Sequence, residues 1–537
     1  MKITLAQLNP LIGDFQGNLR LIEKAVQEAS LLGSDLVVFS ELFLTGYPPK
    51  DLLLEPDFKK AVQESLSQVA QISAHYPECG ILLGAPVQDE NQALLYYQGH
   101  LLFQQTKTLL PFYDVFDEPR YFISAASRDV VHFKNEILGI SICEDAWSAY
   151  RLRYVADPIQ EWVQKGATLL INLTASPFGL GKYTTRYSHF SQTAQQWQRP
   201  LVMVNQVGGH DDLLFDGSSM AFDQEGQLIA ACTPFQSELK TIDIRSKNAP
   251  LLLPNISLMQ HLTDALVMGI RDYIHKCGFS SVVIGLSGGI DSAVVATLAC
   301  LALGKEHVTG LLMPSEISSL DSLTDAHYLA KNLGIQTQTL SISPLFDAAL
   351  LTLGPTLPVS KTQYGLTEQN IQARLRGMLL MAYANQHGAL TLSTGNKSEL
   401  AVGYCTLYGD MNGALLPLGD VYKTQVYELA HFLNRNIPFI PQNTLQKPPS
   451  AELAPGQKDQ DSLPDYAILD GILKLYLECG IESNAIVAQG YEDKTVRWVI
   501  KALAQNEYKR SQSAPILKVS SKAFGPGRRM PLAKAVF

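Results

Sequence analysis

Between Gly285 and Ser292 the chain reads Gly-Leu-Ser-Gly-Gly-Ile-Asp-Ser, a stretch whose residue types and order suit phosphate chemistry. Ser281 to Ile284 before it has the character of a buried strand. Ala293 to Gly304 after it is apolar on every side, as in a helix packed on a sheet. A strand, a glycine turn and a helix start aim several backbone N–H groups and the positive end of the helix dipole at one spot. Ser287 and Ser292 add hydroxyl donors, and Asp291 offers the hard oxygen that a magnesium ion takes beside phosphates. No lysine follows the glycines, so the turn is not a Walker A loop, and the spacing is not that of a G-x-G-x-x-G dinucleotide turn. Taken alone, the pattern also fits a turn that merely reverses the chain.

A second set of groups suits acyl chemistry. Glu41 follows Leu-Val-Val-Phe-Ser, Lys107 follows the second strand of an expected hairpin, and Cys143 follows Leu-Gly-Ile-Ser-Ile. Each stands where a strand is expected to end, and ends of parallel strands are where open α/β folds expose reactive groups. A cysteine on a turn leaving a strand is placed like a nucleophile on an elbow. Singly, the three fit equally a buried small hydrophobe, a turn cap and a lysine on a solvated face. Their positions along the chain do not show that they converge.

The elements that must position these groups alternate along the whole chain. In residues 1 to 245 the expected strands are Ile3–Leu8, Leu36–Phe39, Ile81–Gly84, Leu94–Tyr97, His100–Gln104, Ile137–Ile142, Thr168–Leu173, Leu201–Asn205 and Ser219–Phe222. Asn18 to Leu32 reads as a helix with Leu19, Ile22, Val26 and Ala29 on one face, and Gln98-Gly99 reads as a hairpin turn. Arg245 to Leu258, with Lys247, Asn248, Pro250 and Pro254, breaks the pattern, so 246–258 is the expected linker. From 259 to 537, helix and strand alternate as in a doubly wound parallel sheet (strands Val308–Met313 and Thr337–Ile342, helix Asp321–Leu333). Pro355–Gly365 and Ile440–Pro464 read as irregular loops.

Composition sets the bounds. At 537 residues, 46% hydrophobic and 17% charged, the chain implies two large or three smaller globular domains. Forty-two Lys and Arg against 51 Asp and Glu give a net charge of −9, which argues against a broad nucleic-acid or anionic-membrane footprint. Seven scattered cysteines, with no C-x-x-C pair, fit reduced thiols in a cytosol. Gln7, Asn9, Pro10 and Asp14 interrupt the N-terminus, so no secretory signal is expected, and no apolar run approaches the ~20 residues of a membrane span. The expected location is cytoplasmic.

The blocks Phe-Ser-Glu-Leu-Phe-Leu-Thr-Gly-Tyr-Pro around Glu41, Gln-Thr-Lys-Thr-Leu-Leu-Pro around Lys107 and Ser-Ile-Cys-Glu-Asp-Ala-Trp around Cys143 resemble the signatures of the nitrilase (carbon–nitrogen hydrolase) superfamily, in the family's order. The resemblance implies an α-β-β-α sandwich in which Cys143 attacks a carboxamide, Glu41 serves as general base and then acid, and Lys107 with a backbone N–H holds the oxyanion. It implies a second glutamate, for which Glu118 is the candidate, and in glutamine-using relatives Tyr113, Ser176 and Lys182 match positions that hold the substrate.

The stretch from Gly285 to Ser292 (Gly285, Leu286, Ser287, Gly288, Gly289, Ile290, Asp291, Ser292) resembles the SGGxDS signature of PP-loop ATP pyrophosphatases, which cleave ATP to AMP and pyrophosphate. Thr367–Met378, Ser393–Tyr404, Tyr408–Asp410, Pro417–Thr424 and Pro448–Leu453 resemble NAD synthetases. That resemblance implies ATP contacts at Thr394, Lys423 and Ser450, and magnesium ligands at Asp291 and Glu399. It also implies contacts to deamido-NAD at Asn370, Arg374, Glu399 and Lys509. Asn370 and Arg374, four apart on a helix, fit a solvated face as well.

Together the halves resemble the glutamine-dependent NAD synthetases. The resemblance implies ATP, Mg2+, glutamine or ammonia, and deamido-NAD as small-molecule participants, and a homo-oligomer. Two other readings stay open: an AMP-forming amidotransferase for a different carboxylate, and a binding or sensor protein without turnover.

Overall fold

The computed structural model describes residues 1–150, 154–246 and 250–535. The chain folds as two compact units, Met1–Ile256 and Ser257–Phe537. Residues 247–249 of the expected linker lie outside the described residues.

In the first unit, alternate residues of each strand face different cores. Ile3 and Leu5, Leu36 and Val38, and Leu82 point to one apolar cluster, whereas Ala6, Val37, Ile81 and Leu83 point to another. Strands covered on both faces read as continuous apolar runs, which is why they are conspicuous in the sequence. One six-stranded sheet runs in the order Glu238–Asp243, Lys2–Gln7, Leu36–Val38, Gly80–Val87, Glu90–Tyr97, His100–Thr106. The other runs Leu228–Ala231, Met220–Phe222, Leu201–Asn205, Leu169–Thr174, Glu136–Ile142, Val130–Phe133. Ile3, Leu5, Leu138, Ile140, Ile171 and Val204 share the core between the sheets. The helices Phe15–Leu31 and Pro56–His75 cover the outside of the first sheet, and Pro158–Gln164 and Lys182–Trp197 the outside of the second. The result is the expected α-β-β-α sandwich.

The hairpin turn at Gln98-Gly99 has φ of 53° and 81°, the paired left-handed residues of a tight turn between twisted strands. Strands absent from the sequence reading lie at sheet edges or in short hairpins: Val130–Phe133, Leu228–Ala231, Glu238–Asp243, and Val207–His210 with Leu213–Asp216. Glu238–Asp243 is half-buried along most of its length and carries no apolar run, so backbone pairing to Lys2–Gln7 defines it rather than side-chain pattern.

The second unit holds four parallel strands in the order Gln336–Thr339, Val308–Leu312, Val282–Gly285, Leu390–Leu392. The strand expected to reach Ile342 ends at Thr339. Beyond it, single bonds from Leu340 N–H to Leu312 and from Ile342 N–H to Pro314 carry the chain into the helix Ser343–Leu353. The helix Ile290–Leu303 is buried over nearly its whole circumference, as its uniform apolarity requires. A separate helical core gathers Leu400, Leu416, Leu469, Val496 and Ile516. The stretch Ile440–Pro464 contains only two short turns of helix, Gln442–Gln446 and Asp459–Asp461. Among the described residues no helix is long and apolar enough to cross a membrane.

Candidate active sites

Glu41 lies just past the strand Leu36–Val38 and is fully buried. Its Oε1 accepts hydrogen bonds from the Lys107 ammonium at 2.7 Å and Asn91 Nδ2 at 2.8 Å, and its Oε2 accepts one from the Ala175 N–H at 3.1 Å. Lys107 follows His100–Thr106, the second, antiparallel strand of the expected hairpin. Its buried Nζ lies 2.8 Å from each carboxylate oxygen of Glu118, and the Tyr47 hydroxyl donates to Glu118 Oε1 at 3.1 Å. Burial alone lowers the Lys107 pKa, but the charges of Glu118 and Glu41 raise it well above its ordinary value. Burial pushes the Glu118 carboxyl up to about 7, with Lys107 opposing and Glu41 adding to the rise.

Cys143 opens the 3-10 helix Cys143–Tyr150 at the end of Glu136–Ile142, with φ of 45°. It is buried beside the same charges. Burial first, then Glu41, push its thiol well up, and Lys107 and a hydrogen bond with Thr174 pull it back only in part. The structure thus brings Glu41, Lys107, Cys143 and Glu118 into one buried cluster. Tyr113 donates to Glu144, next to Cys143, at 2.8 Å. The Ser176 N–H, one residue beyond the Ala175 that reaches Glu41, donates to Asn205 Oδ1 at 2.9 Å. Lys182 begins the helix Lys182–Trp197, and its ammonium donates to the Pro177 carbonyl at 2.8 Å.

In the second unit the glycine turn Gly285–Ser292 leaves the strand Val282–Gly285, and Thr394 follows the neighbouring strand Leu390–Leu392. The strand order reverses between these two, and such a switch point opens a crevice at the strands' carboxyl ends. Gly288 has φ of 77°, and a Cβ there would stand 2.2 Å from the Ser322 carbonyl oxygen. Ser287 Oγ accepts from the Gly289 N–H at 3.1 Å and lies 3.1 Å from Ser292 Oγ.

Three cavities meet at this crevice. One is bounded mainly by apolar groups, including Leu286, Met313, Pro314, Leu323 and Leu380, with Gly285, Thr394 and Ser450. The second holds Ser287, Gly289, Ile290, Asp291, Ser292, Thr394, Glu399, Lys423 and Ser450. The third holds Asn370, Arg374 and Lys509. Asp410 and Ala451 line all three. Gly288 lines none of the three; it presses against Ser322 instead.

Charge concentrates in the second cavity. The Lys423 ammonium donates to Asp291 Oδ2 at 2.5 Å and Glu399 Oε1 at 3.2 Å. Asn396 Nδ2 holds Asp291 Oδ1 at 3.0 Å, and Asn396 also caps the helix Lys397–Val402 that carries Glu399. Burial pushes the Glu399 carboxyl up to about 8, Lys423 opposing and Asp291 adding. Among the described residues no three His, Cys, Asp or Glu side chains are grouped to cage a metal alone. The two carboxylates of Asp291 and Glu399 beside the glycine turn nonetheless fit magnesium, which takes one or two protein oxygens and completes its shell with substrate phosphates and water.

In the third cavity the polar groups are already bonded. Thr406 Oγ1 donates to Asn370 Oδ1 at 2.7 Å, Arg374 Nε donates to the Leu407 carbonyl at 3.1 Å, and Lys509 Nζ donates to the Gly403 and Cys405 carbonyls, both at 2.7 Å.

Residues 2–249 match the family model described as carbon–nitrogen hydrolase, and residues 262–513 match that of NAD synthase. The glutamine-dependent NAD(+) synthetase of Synechocystis sp. is 46% identical to this chain, the match covering 99% of this chain and 98% of the relative. The chain belongs to the glutamine-dependent NAD(+) synthetases. The synthetase of Thermotoga maritima is 41% identical over 99% of this chain and 98% of its own length. A solved structure of the Acinetobacter baumannii glutamine-dependent NAD+ synthetase, in complex with ADP, is 36% identical, with a TM-score of 0.78 over 99% of this chain and 98% of that one. Members of the family are carbon–nitrogen ligases with glutamine as amido donor.

Several synthetase residues at these sites went unread in the sequence. Tyr47 and Asn91 hold the two carboxylates of the buried cluster, and no spacing signal links them to Glu118 and Glu41, 71 and 50 residues away. Asp410 stands inside the Tyr-Gly-Asp block, and Lys447 just before Pro-Pro-Ser, so the quoted blocks pointed near both. Lys447 lines the second cavity and donates to Ser322 Oγ and Asp325 Oδ2, both at 3.0 Å.

Proposed function

We propose that this chain makes NAD from deamido-NAD, ATP, glutamine and water, releasing AMP, pyrophosphate and glutamate. In the first unit the Cys143 sulfur attacks the glutamine carboxamide. Glu41 Oε1 is occupied by two donors, so Oε2 is the oxygen that takes the thiol proton. Lys107 and a backbone N–H near Cys143 stabilise the tetrahedral oxyanion, and Glu41 returns the proton to the departing ammonia. Water then cleaves the thioester, with Glu41 as base, to give glutamate. Tyr113, Glu118, Ser176 and Lys182 orient the glutamine and the charges around it.

In the second unit the base of ATP takes the apolar cavity and its phosphates take the turn Gly285–Ser292, within reach of Thr394, Lys423 and Ser450. Asp291 and Glu399 would hold Mg2+, which neutralises charge on the phosphates when bound. The dinucleotide takes the cavity of Asn370, Arg374 and Lys509. Its nicotinate carboxylate attacks the α-phosphorus, pyrophosphate leaves, and ammonia displaces AMP from the acyl-adenylate. The junction of the three cavities at Asp410 and Ala451 supports this order of occupants, because it lets a carboxylate in the third meet the α-phosphate held between the first and second.

The test is NAD and AMP formation from deamido-NAD, ATP and Mg2+ with either glutamine or ammonium. Wild type should use both nitrogen sources and Cys143→Ala only ammonium. No NAD from either source would assign the chain to a different carboxylate.

A further inference from the structure

Asp145 has no role in the chemistry above, yet it is fully buried two residues past Cys143. Its Oδ1 accepts the N–H groups of Thr108 at 2.9 Å and Leu109 at 2.7 Å, and its Oδ2 accepts that of Ile142 at 3.1 Å. Thr108 directly follows Lys107, and Ile142 directly precedes Cys143. One carboxylate therefore ties the turn that carries the ammonium to the turn that carries the thiol. The two turns leave different sheets. Burial pushes the Asp145 carboxyl up to about 7, and its N–H partners and Lys107 oppose this only in part.

We propose that Asp145 is a positioning residue for glutamine hydrolysis, fixing the Lys107 ammonium relative to the Cys143 sulfur by holding the backbone beside each. The proposal rests on Cys143 being the glutamine-hydrolysing cysteine. Oxyanion stabilisation depends on donor placement within a few tenths of an ångström, whereas ground-state binding of glutamine does not involve this bridge.

The experiment measures steady-state glutamine hydrolysis and ammonium-dependent NAD formation in the full chain carrying Asp145→Asn or Ser124→Ala. An asparagine keeps the shape but can accept on one side only, turning its NH2 toward an N–H on the other. Ser124 Oγ donates to the Thr108 carbonyl at 2.6 Å and so steadies the same turn. Asp145→Asn should lower kcat for glutamine about 100-fold, with KM within about threefold of wild type and ammonium-dependent synthesis intact. Ser124→Ala should lower kcat several-fold, again at unchanged KM. Wild-type kcat in Asp145→Asn, or a loss confined to KM, overturns the proposal. If Asp145→Asn fails to fold, Ser124→Ala decides: a kcat loss at constant KM supports the positioning role, and wild-type kcat overturns it. Glutamine hydrolysis that survives Cys143→Ala would instead remove the glutaminase assignment, and the role of Asp145 with it.

Discussion

Glu118 shares the Lys107 ammonium with Glu41, and with its carboxyl pushed up to about 7 by burial it titrates near neutrality. Lys107, Glu41 and Tyr47 face it, with Cys143 in the same cluster. Protonation removes one of the two anions that hold Lys107, so glutamine hydrolysis should rise with pH through about 7. Tyr47→Phe deletes a donor that favours the charged carboxylate, which raises the Glu118 pKa further and moves this limb to higher pH. Profiles of kcat/KM for glutamine hydrolysis check this; superimposed curves for the two proteins would sink it. The stability sign is opposite. A carboxyl raised from 4.5 to about 7 keeps its proton longer in the folded state, so the first unit loses stability as pH rises across that window. At this scale Glu41, Lys107 and Cys143 were singled out through the motif blocks around them, since singly each also fitted a bland structural role. Tyr47 and Asp145 lie inside the quoted blocks but were given no role, and Asn91 lies in none; hydrogen bonds between groups dozens of residues apart, such as Tyr47 with Glu118 and Asp145 with the Thr108 and Leu109 N–H groups, leave no periodicity.

Elements differ in how much of themselves they write into the sequence. The glycine turn Gly285–Ser292 and its flanking strand and helix were readable because glycines stand between two apolar runs. Edge strands such as Glu238–Asp243 were not, since their pairing is carried by backbone groups common to every residue. Within the turn, Gly288 allows no side chain: its φ of 77° is strained for other residues, and the Ser322 carbonyl stands 2.2 Å from an added Cβ. Gly288→Ala must shift the turn or the helix Leu320–Leu333, so ATP-dependent NAD formation with ammonium should fall about 100-fold or more. Wild-type rates in that variant would show the turn to be adaptable.

A second element-scale device lies in the C-terminal segment. Lys397 Nζ is buried against Asp420 and Glu478, each at 2.9 Å, and also donates to Ser520 Oγ at 2.8 Å and the Lys522 carbonyl at 2.9 Å. Asp420 in turn accepts the N–H groups of Val519 and Ser520. This lysine binds the tail to the helix that bears Glu399. Lys397→Met removes the cation shared by two carboxylates, leaving Asp420 its Val519 and Ser520 donors, and should cost the second unit about 3–5 kcal/mol, read as a lower melting transition in calorimetry. An unchanged transition would mean that the tail is held by its other contacts.

At the scale of the molecule, each unit has its own apolar cores, and each is proposed to run one half-reaction with its own charged groups. Fold class was legible from the motif blocks and from the alternation of helix and strand, whereas length alone left two or three domains open. What each cavity admits was not, because Asp410 and Ala451 come together only once the crevice is built. Separate chemistry implies separable inhibition. In the proposed scheme glutamine hydrolysis at Cys143 would use only groups of the chain, whereas adenylation would use Mg2+ held by Asp291 and Glu399. Chelation with EDTA should therefore stop AMP and NAD formation with glutamine and with ammonium alike, while glutamate release from glutamine continues. Cys143→Ala should give the mirror image, with glutamate release lost and ammonium-dependent NAD formation kept. Glutamate release that falls in step with NAD formation as the chelator is titrated would mean that the first reaction does not run without the second, and the independence of the two half-reactions would have to be given up.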